Sequence, residues 1–167
     1  MGIELIVLDV DGCLTDGRIV YSAEGDELKA FDVKDGLAIA SWIRLGKRAA
    51  IITGRRSKIV ERRAKELGIT HLYQGVRDKG AKFDELLGEL GLEGDAVAVI
   101  GDDLNDYVML EKAGRSYAPA DAAAMIRERV DWVLEASGGR GAVREMIEDL
   151  LAAEGLEREF LALWSAE

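Results

Sequence analysis

What most limits the possible folds of this chain is its opening run, apolar at Ile3, Leu5, Ile6, Val7 and Leu8, which breaks abruptly into Asp9-Val10-Asp11-Gly12-Cys13-Leu14-Thr15-Asp16. A segment without polar–apolar alternation has no face to offer solvent, so it reads as a parallel-type strand buried on both sides. Gly12 can take backbone angles that other residues avoid, and it opens a turn there. The carboxylates then lie at the carboxyl end of the strand, where open parallel sheets bind ligands. Asp9 presents its side chain at that end, and Asp11 sits just beyond it in the loop. An EF-hand calcium loop also begins D-x-D, but counting from Asp9 its sixth position is Leu14 rather than glycine and its twelfth is Val20 rather than glutamate. A solvated acidic turn is the other reading of the octapeptide taken alone.

The rest of the chain alternates. Arg18 to Phe31 holds two short apolar segments around Glu24-Gly25-Asp26 and reads as a β-hairpin. A lone hairpin is marginal in water, and the sequence offers no extra domain to cover it, so a partner subunit is expected. A helical pattern runs from Asp35 with Leu37, Ala38, Ile39, Trp42, Ile43 and Leu45, ended by Gly46. The strand Ala49–Ile52 ends at Thr53-Gly54-Arg55-Arg56, and a helix follows from about Ser57 to Leu67, stopped by Gly68. Next come a strand over His71–Gln74, Lys79 at the start of a helix, and the apolar strand Ala96–Ile100 running into Gly101-Asp102-Asp103-Leu104-Asn105-Asp106. Beyond them the pattern predicts a helix with Val108, Met109, Leu110 and Ala113, a strand near Ser116–Ala118, a helix from about Asp121 to Arg129, a strand over Trp132–Leu134 and a helix after Gly138-Gly139-Arg140-Gly141. The stretch from about residue 155 to 167 is too apolar, with Leu156, Phe160, Leu161, Leu163 and Trp164, to be a free tail and is expected to dock. Such alternation predicts an α/β doubly wound parallel sheet with right-handed crossovers, in one domain spanning residues 1–167.

Composition excludes several function classes. A net charge of −10 argues against general nucleic-acid or anionic-membrane binding, and an anionic substrate would need a local cation cluster or a metal. The single cysteine, Cys13, excludes an internal disulfide and suits a reducing compartment; it reads as a small buried thiol. The only histidine, His71, falls in a predicted strand and reads as packing. With no leader pattern and no apolar run of membrane-spanning length, the chain reads as a cytoplasmic protein without membrane partners. Trp42 and Trp132 read as core, and Glu61, Arg62 and Lys65 as an exposed helical face. Arg56 and the glycine run 138–141 each read equally as site elements or as a solvated helix start and a plain loop, whereas Arg55 reads more readily as a site element.

Parallel strands bring three motifs to one sheet edge: Asp9/Asp11, Thr53-Gly54-Arg55, and Asp102/Asp103. Clustered carboxylates repel unless a cation neutralises them, and hard oxygen ligands suit Mg2+. A phosphate monoester resists an anionic nucleophile until its charge is cancelled, which Mg2+, Lys79 and the Thr53 hydroxyl could supply. An aspartate could then form an aspartyl-phosphate, splitting hydrolysis into two easier steps.

These motifs, Asp9 to Asp16, Ile52-Thr53-Gly54-Arg55, Lys79 and Gly101 to Asp106, resemble in this order the haloacid dehalogenase superfamily of phosphatases. The resemblance implies Asp9 as nucleophile and Asp11 as general acid and base, with Thr53 and Lys79 holding the phosphoryl group. It implies a Mg2+ site of Asp9, the Asp11 main-chain carbonyl and Asp102, supported by Asp103 and Asp106. The spacings between Asp9, Thr53 and Lys79 leave no room for a cap domain, so a Rossmann-like sheet with a protruding hairpin and no cap is expected. Gly36 after Phe31–Asp35, the stretch Ile69–Gly75, and Gly138–Glu145 are similar to the 3-deoxy-D-manno-octulosonate 8-phosphate (KDO 8-phosphate) phosphatase family. That likeness implies a sugar-acid phosphate substrate on the route to lipopolysaccharide, a homotetramer with centrally meeting hairpins, and substrate contacts from Gly54, Arg55, Arg63 and Arg140, with Arg63 reaching a neighbouring site. Phosphatases of KDN 9-phosphate typically have glutamate where this chain has Arg55, and the arginine favours KDO 8-phosphate. Another sugar phosphate, or a non-catalytic oligomerisation module, are the alternatives; Asn105 stands where some of these phosphatases are apolar, a change that puts no catalytic role in doubt.

Overall fold

The computed structural model describes residues 2–165. β1 (Leu5–Leu8) is followed by a wide turn, closed by a bond from Thr15 N–H to the Val10 carbonyl at 3.1 Å, and then by a hairpin of β2 (Val20–Tyr21) and β3 (Glu27–Leu28). The chain continues through α1 (Val33–Arg44), β4 (Arg48–Ile52), α2 (Lys58–Leu67), β5 (His71–Tyr73), α3 (Lys79–Leu90), β6 (Val97–Ile100), α4 (Tyr107–Lys112), β7 (Arg115–Ala118), α5 (Ala124–Arg127), β8 (Trp132–Val133), α6 (Ala142–Glu154) and α7 (Glu157–Ala162). Six strands form one parallel sheet in the order β5-β4-β1-β6-β7-β8. The strand order reverses between β1 and its neighbours β4 and β6, so their carboxyl ends form the crevice that doubly wound sheets use for ligands.

β1 is central, and all four of its residues are fully buried. Ile6 and Leu8 pack with Ile39 and Trp42 of α1 and Met146 and Ile147 of α6, whereas Leu5 and Val7 pack with Phe83 and Leu86 of α3 and Met109 and Leu110 of α4. Burying each such side chain contributes roughly 1.5–3 kcal/mol, which fixes the strand whose end carries Asp9. α2 buries Val60, Ala64 and Leu67 and exposes Glu61, Arg62 and Lys65, with Ser57 as its N-cap and Gly68 closing it. No helix among the described residues is long and apolar enough to cross a membrane.

Three elements depart from the sequence expectation. The helix expected over about 121–129 is a single turn, Ala124–Arg127. Asp121 instead accepts a bond from Gly138 N–H at 3.0 Å, the Ala123 amide bonds the Asp102 carbonyl at 2.8 Å, and with these anchors Ala123 is held at φ −53° and ψ 138°, outside the helical range, so the helix starts only after it. Trp132 is not core: β8 is an edge strand, and the indole is 38% exposed, stacked on Tyr117 and covered by the Arg115 guanidinium. Within the apolar final stretch, Phe160 is buried and Leu156 and Leu163 pack against the core, but Leu161 and Trp164 are exposed. Residues 166–167 of that stretch lie outside the described residues.

Asp35, in the first turn of α1, is 1% exposed. α6 begins at Gly141 without a side-chain cap of its own, and Asp35 supplies one, its Oδ1 accepting from Arg144 N–H at 2.9 Å while Oδ2 is buried without a hydrogen-bond partner. Burial pushes the Asp35 carboxyl up to about 6 from its ordinary 3.8, against the bond from the Arg144 backbone. The folded chain therefore holds this proton more tightly than the unfolded chain, and its contribution to stability, complete below about pH 3.8, is lost as pH rises toward 6. In urea unfolding, wild type should lose about 2–3 kcal/mol relative to Asp35→Asn between pH 4 and pH 7. An unchanged difference between the two proteins would remove Asp35 as the source.

Candidate active site

β1 continues as extended chain through Asp9, whose N–H reaches the Ile100 carbonyl at 3.4 Å, and the turn then swings back at Gly12, with φ +90°. Any side chain at Gly12 would collide with the Asp102 carboxylate, so glycine there lets the two acidic loops close on each other. Lys79, the first residue of α3, is driven under this junction: it is 2% exposed, with Nζ 2.9 Å from Asp9 Oδ1 and 2.7 Å from Asp106 Oδ1. Asp106 also accepts from the N–H groups of Asp102 and Asp103, at 2.9 and 3.3 Å. Asp106 thus shapes the loop and anchors Lys79, while Asp103 accepts from Leu104 N–H at 2.8 Å and caps the short turn. Thr53 is buried at the end of β4, its N–H bonded to the Tyr73 carbonyl at 2.9 Å.

Asp9, Asp11, Thr53, Gly54, Arg55, Asp102, Asp103 and Asn105, with Gly17, line one cleft of ≈ 230 Å³. Every motif expected at the sheet edge therefore converges there, with Lys79 beneath it. Asp9 and Asp102 each have a carboxyl raised above its ordinary value, first by burial and then by a neighbouring acid, Asp106 for Asp9 and Asp9 for Asp102; Lys79 opposes the rise at Asp9. Asp9, Cys13 and Asp102 offer donor atoms within 4.8 Å of one another. Of these the carboxylates suit a hard divalent cation, whereas the thiol is soft and is pushed well up, first by burial and then by Asp9, so it stays neutral. A cation between carboxylates that otherwise resist ionising is what Mg2+ would supply, and the donor set fits it.

Arg55 stands at the lip, 46% exposed at its side chain, with Nη2 3.4 Å from Glu27 Oε1 and Nε 4.0 Å from Asp11 Oδ2. Arg63 lies outside the cleft, in a hollow of ≈ 330 Å³ beside the hairpin base, where its guanidinium covers the Phe31 ring. Arg140 is exposed on the glycine loop, which packs on the acidic turn: Gly139 N–H bonds the Cys13 carbonyl at 3.0 Å, and Gly138 lies so close to Gly12 that a Cβ would clash. His71, in β5, does not line the cleft.

The sequence pattern does not single out Lys29. Its side chain is 2% exposed, and Nζ lies 2.6 Å from Asp11 Oδ1 and 3.0 Å from Glu27 Oε1. Burial would lower its pKa, but the bonds to Asp11 and Glu27 outweigh that and raise it, so it stays charged. The signal was present as a Glu–Lys pair at i, i+2, which in a strand places both side chains on one face.

Residues 71–147 match the haloacid dehalogenase-like hydrolase family. The chain is 49% identical over 153 residues to 3-deoxy-D-manno-octulosonate 8-phosphate phosphatase KdsC of Escherichia coli K12, covering 92% of this chain and 81% of that protein. It is similar to the crystal structure of the phosphatase of that name from Yersinia pestis, with a TM-score of 0.90 and 46% identity over 92% of this chain and 83% of the other. It is also similar to the Moraxella catarrhalis phosphatase solved in complex with magnesium ion, phosphate ion and KDO, with a TM-score of 0.94 and 43% identity over 98% and 94% of the two chains.

Proposed function

The chain belongs to the 3-deoxy-D-manno-octulosonate 8-phosphate phosphatase family of haloacid dehalogenase-like hydrolases, and from that premise we propose that it hydrolyses KDO 8-phosphate to KDO and inorganic phosphate. The observation that supports this most is the convergence of Asp9, Asp11, Thr53, Arg55 and Asp102 on one cleft over the buried Lys79. In this reading Asp9 attacks phosphorus through a carboxylate oxygen, and the P–O bond to the sugar breaks with its electron pair leaving on the sugar oxygen. Asp11 gives that oxygen a proton. Water, deprotonated by Asp11, then attacks the phosphorus of the Asp9 aspartyl-phosphate and releases phosphate. The Thr53 hydroxyl and the Lys79 ammonium bind phosphoryl oxygens and offset their charge. Asp9, the Asp11 carbonyl and Asp102 would hold Mg2+, which when bound supplies charge neutralisation for the phosphoryl group.

Substrate selection falls to the lip. Arg55 and Gly54 face the leaving group, and a guanidinium there suits the carboxylate of a sugar acid. Arg63 and Arg140, outside the cleft of their own chain, belong to the reading in which neighbouring chains border each site. The homotetramer in that reading is supported by the hairpin, whose Ile19, Val20, Tyr21 and Leu28 are exposed although apolar. Residues 1–167 act as one phosphatase domain, with the hairpin at about 18–31 and the final stretch from about 155 docking on α6. A cytoplasmic site of action agrees with the buried free thiol of Cys13 and with a phosphorylated sugar acid as substrate, and the KDO released is a building block of lipopolysaccharide.

Phosphate release from KDO 8-phosphate and KDN 9-phosphate, at matched concentrations with and without Mg2+, tests this. A kcat/KM preference of at least about tenfold for KDO 8-phosphate is expected: both substrates carry the carboxylate, and accommodating the one additional hydroxylated carbon of KDN 9-phosphate is a difference worth roughly 10–200-fold; chelation should remove turnover of both. A preference for KDN 9-phosphate would overturn the substrate and leave the chemistry standing. No release from either would favour a non-catalytic module.

A further inference from the structure

The hairpin is tied to the body of the protein by charges, and those charges end on the cleft. Along β3 and its continuation, Glu27 and Lys29 face the same way, toward the acidic turn. Lys29 is nearly as inaccessible as Lys79 although it follows a hairpin whose apolar residues are exposed. Its Nζ spans Asp11 Oδ1 at 2.6 Å and Glu27 Oε1 at 3.0 Å, and Glu27 in turn meets Arg55 Nη2 at 3.4 Å. A desolvated lysine is retained only where fixed anions surround it, and here one of the two anions is the side chain read as general acid and base. Asp11 has no comparable anchor in its own loop, because the Gly12 and Gly17 N–H groups bond Thr15 Oγ1 rather than the Asp11 carboxylate.

We propose that Lys29 is a positioning residue for Asp11: clamped by Glu27, its ammonium holds the Asp11 carboxylate over the cleft, so that hairpin placement and proton delivery to the leaving group are coupled. The proposal rests on Asp11 being the general acid, and it makes the hairpin part of the catalytic apparatus as well as an apolar surface. The loss caused by removing Lys29 should then depend on the leaving group. A sugar alkoxide needs a proton to depart, whereas p-nitrophenolate does not.

The test compares wild type with Lys29→Met, Lys29→Gln and Lys29→Arg, reading kcat/KM, which covers the steps through leaving-group departure, for KDO 8-phosphate and for p-nitrophenyl phosphate with saturating Mg2+. Lys29→Met should lower kcat/KM about 10–100-fold on the sugar phosphate and several-fold less on the aryl ester, with Lys29→Arg partly restoring the former. Equal losses on both esters would overturn the proposal and leave Lys29 a structural residue, as would wild-type values on both. Should Lys29→Met not fold, Lys29→Gln gives the same contrast, because its neutral amide, one atom shorter than the lysine side chain, keeps a hydrogen-bonding end and loses the charge. If wild type turns over the aryl ester but not KDO 8-phosphate, the substrate reading fails alone. The leaving-group contrast is then made with whichever alkyl phosphate the enzyme accepts.

Discussion

Asp9→Asn is expected to abolish turnover, by at least about 10³-fold in kcat on any phosphate ester, with the fold intact. The amide places nearly the same atoms at the end of β1 but offers no anionic oxygen to attack phosphorus. Its oxygen can still accept from Lys79 Nζ, which keeps its second partner, Asp106 Oδ1, at 2.7 Å. The buried cluster therefore loses one of its mutually repelling carboxylates without stranding the ammonium, and unfolding free energy should change by no more than about 1 kcal/mol. Acid-quenched protein examined by intact mass should carry phosphate in wild type and none in the variant. Turnover within tenfold of wild type, with the unfolding transition unchanged, would show that the nucleophile is another residue.

The acidic residues and Thr53 that line the cleft were legible in the sequence because each of their motifs follows an uninterrupted apolar run. Leu5–Leu8 and Val97–Ile100 are buried on both faces, so their patterns admit only central parallel strands, and the polar residues that follow must fall at one edge. Lys79 was legible for a related reason, as a cation at a helix start in an acidic chain. Lys29 was hidden because its partners lie 18 and two residues away in a hairpin whose placement against the body no local period encodes. Trp132 misled because an apolar strand residue reads alike at the centre and at the edge of a sheet, and only the pairing order puts β8 outermost. The helix expected from Asp121 failed for the same class of reason. Its Ala123 amide and Asp121 carboxylate are claimed by Asp102 and Gly138, which are distant in sequence.

Lys79 gives the largest effect expected on stability and activity together. Its ammonium separates Asp9 from Asp106, the side chains of all three being 7% exposed or less. Lys79→Met fills similar volume and removes the charge, leaving two buried carboxylates facing each other across an apolar side chain. Breaking a buried pair in this way typically costs about 3–5 kcal/mol, and urea unfolding in EDTA, where no added cation can substitute, should read a loss of that order. Turnover should fall at least about 10²-fold because a donor to the phosphoryl oxygens is gone. The two losses separate in the double variant. Adding Asp106→Asn removes one stranded charge, so about 1–3 kcal/mol of stability should return, while turnover should not, since nothing replaces the ammonium at the phosphoryl group. Recovery of activity together with stability would mean that Lys79 serves the site only by holding its shape.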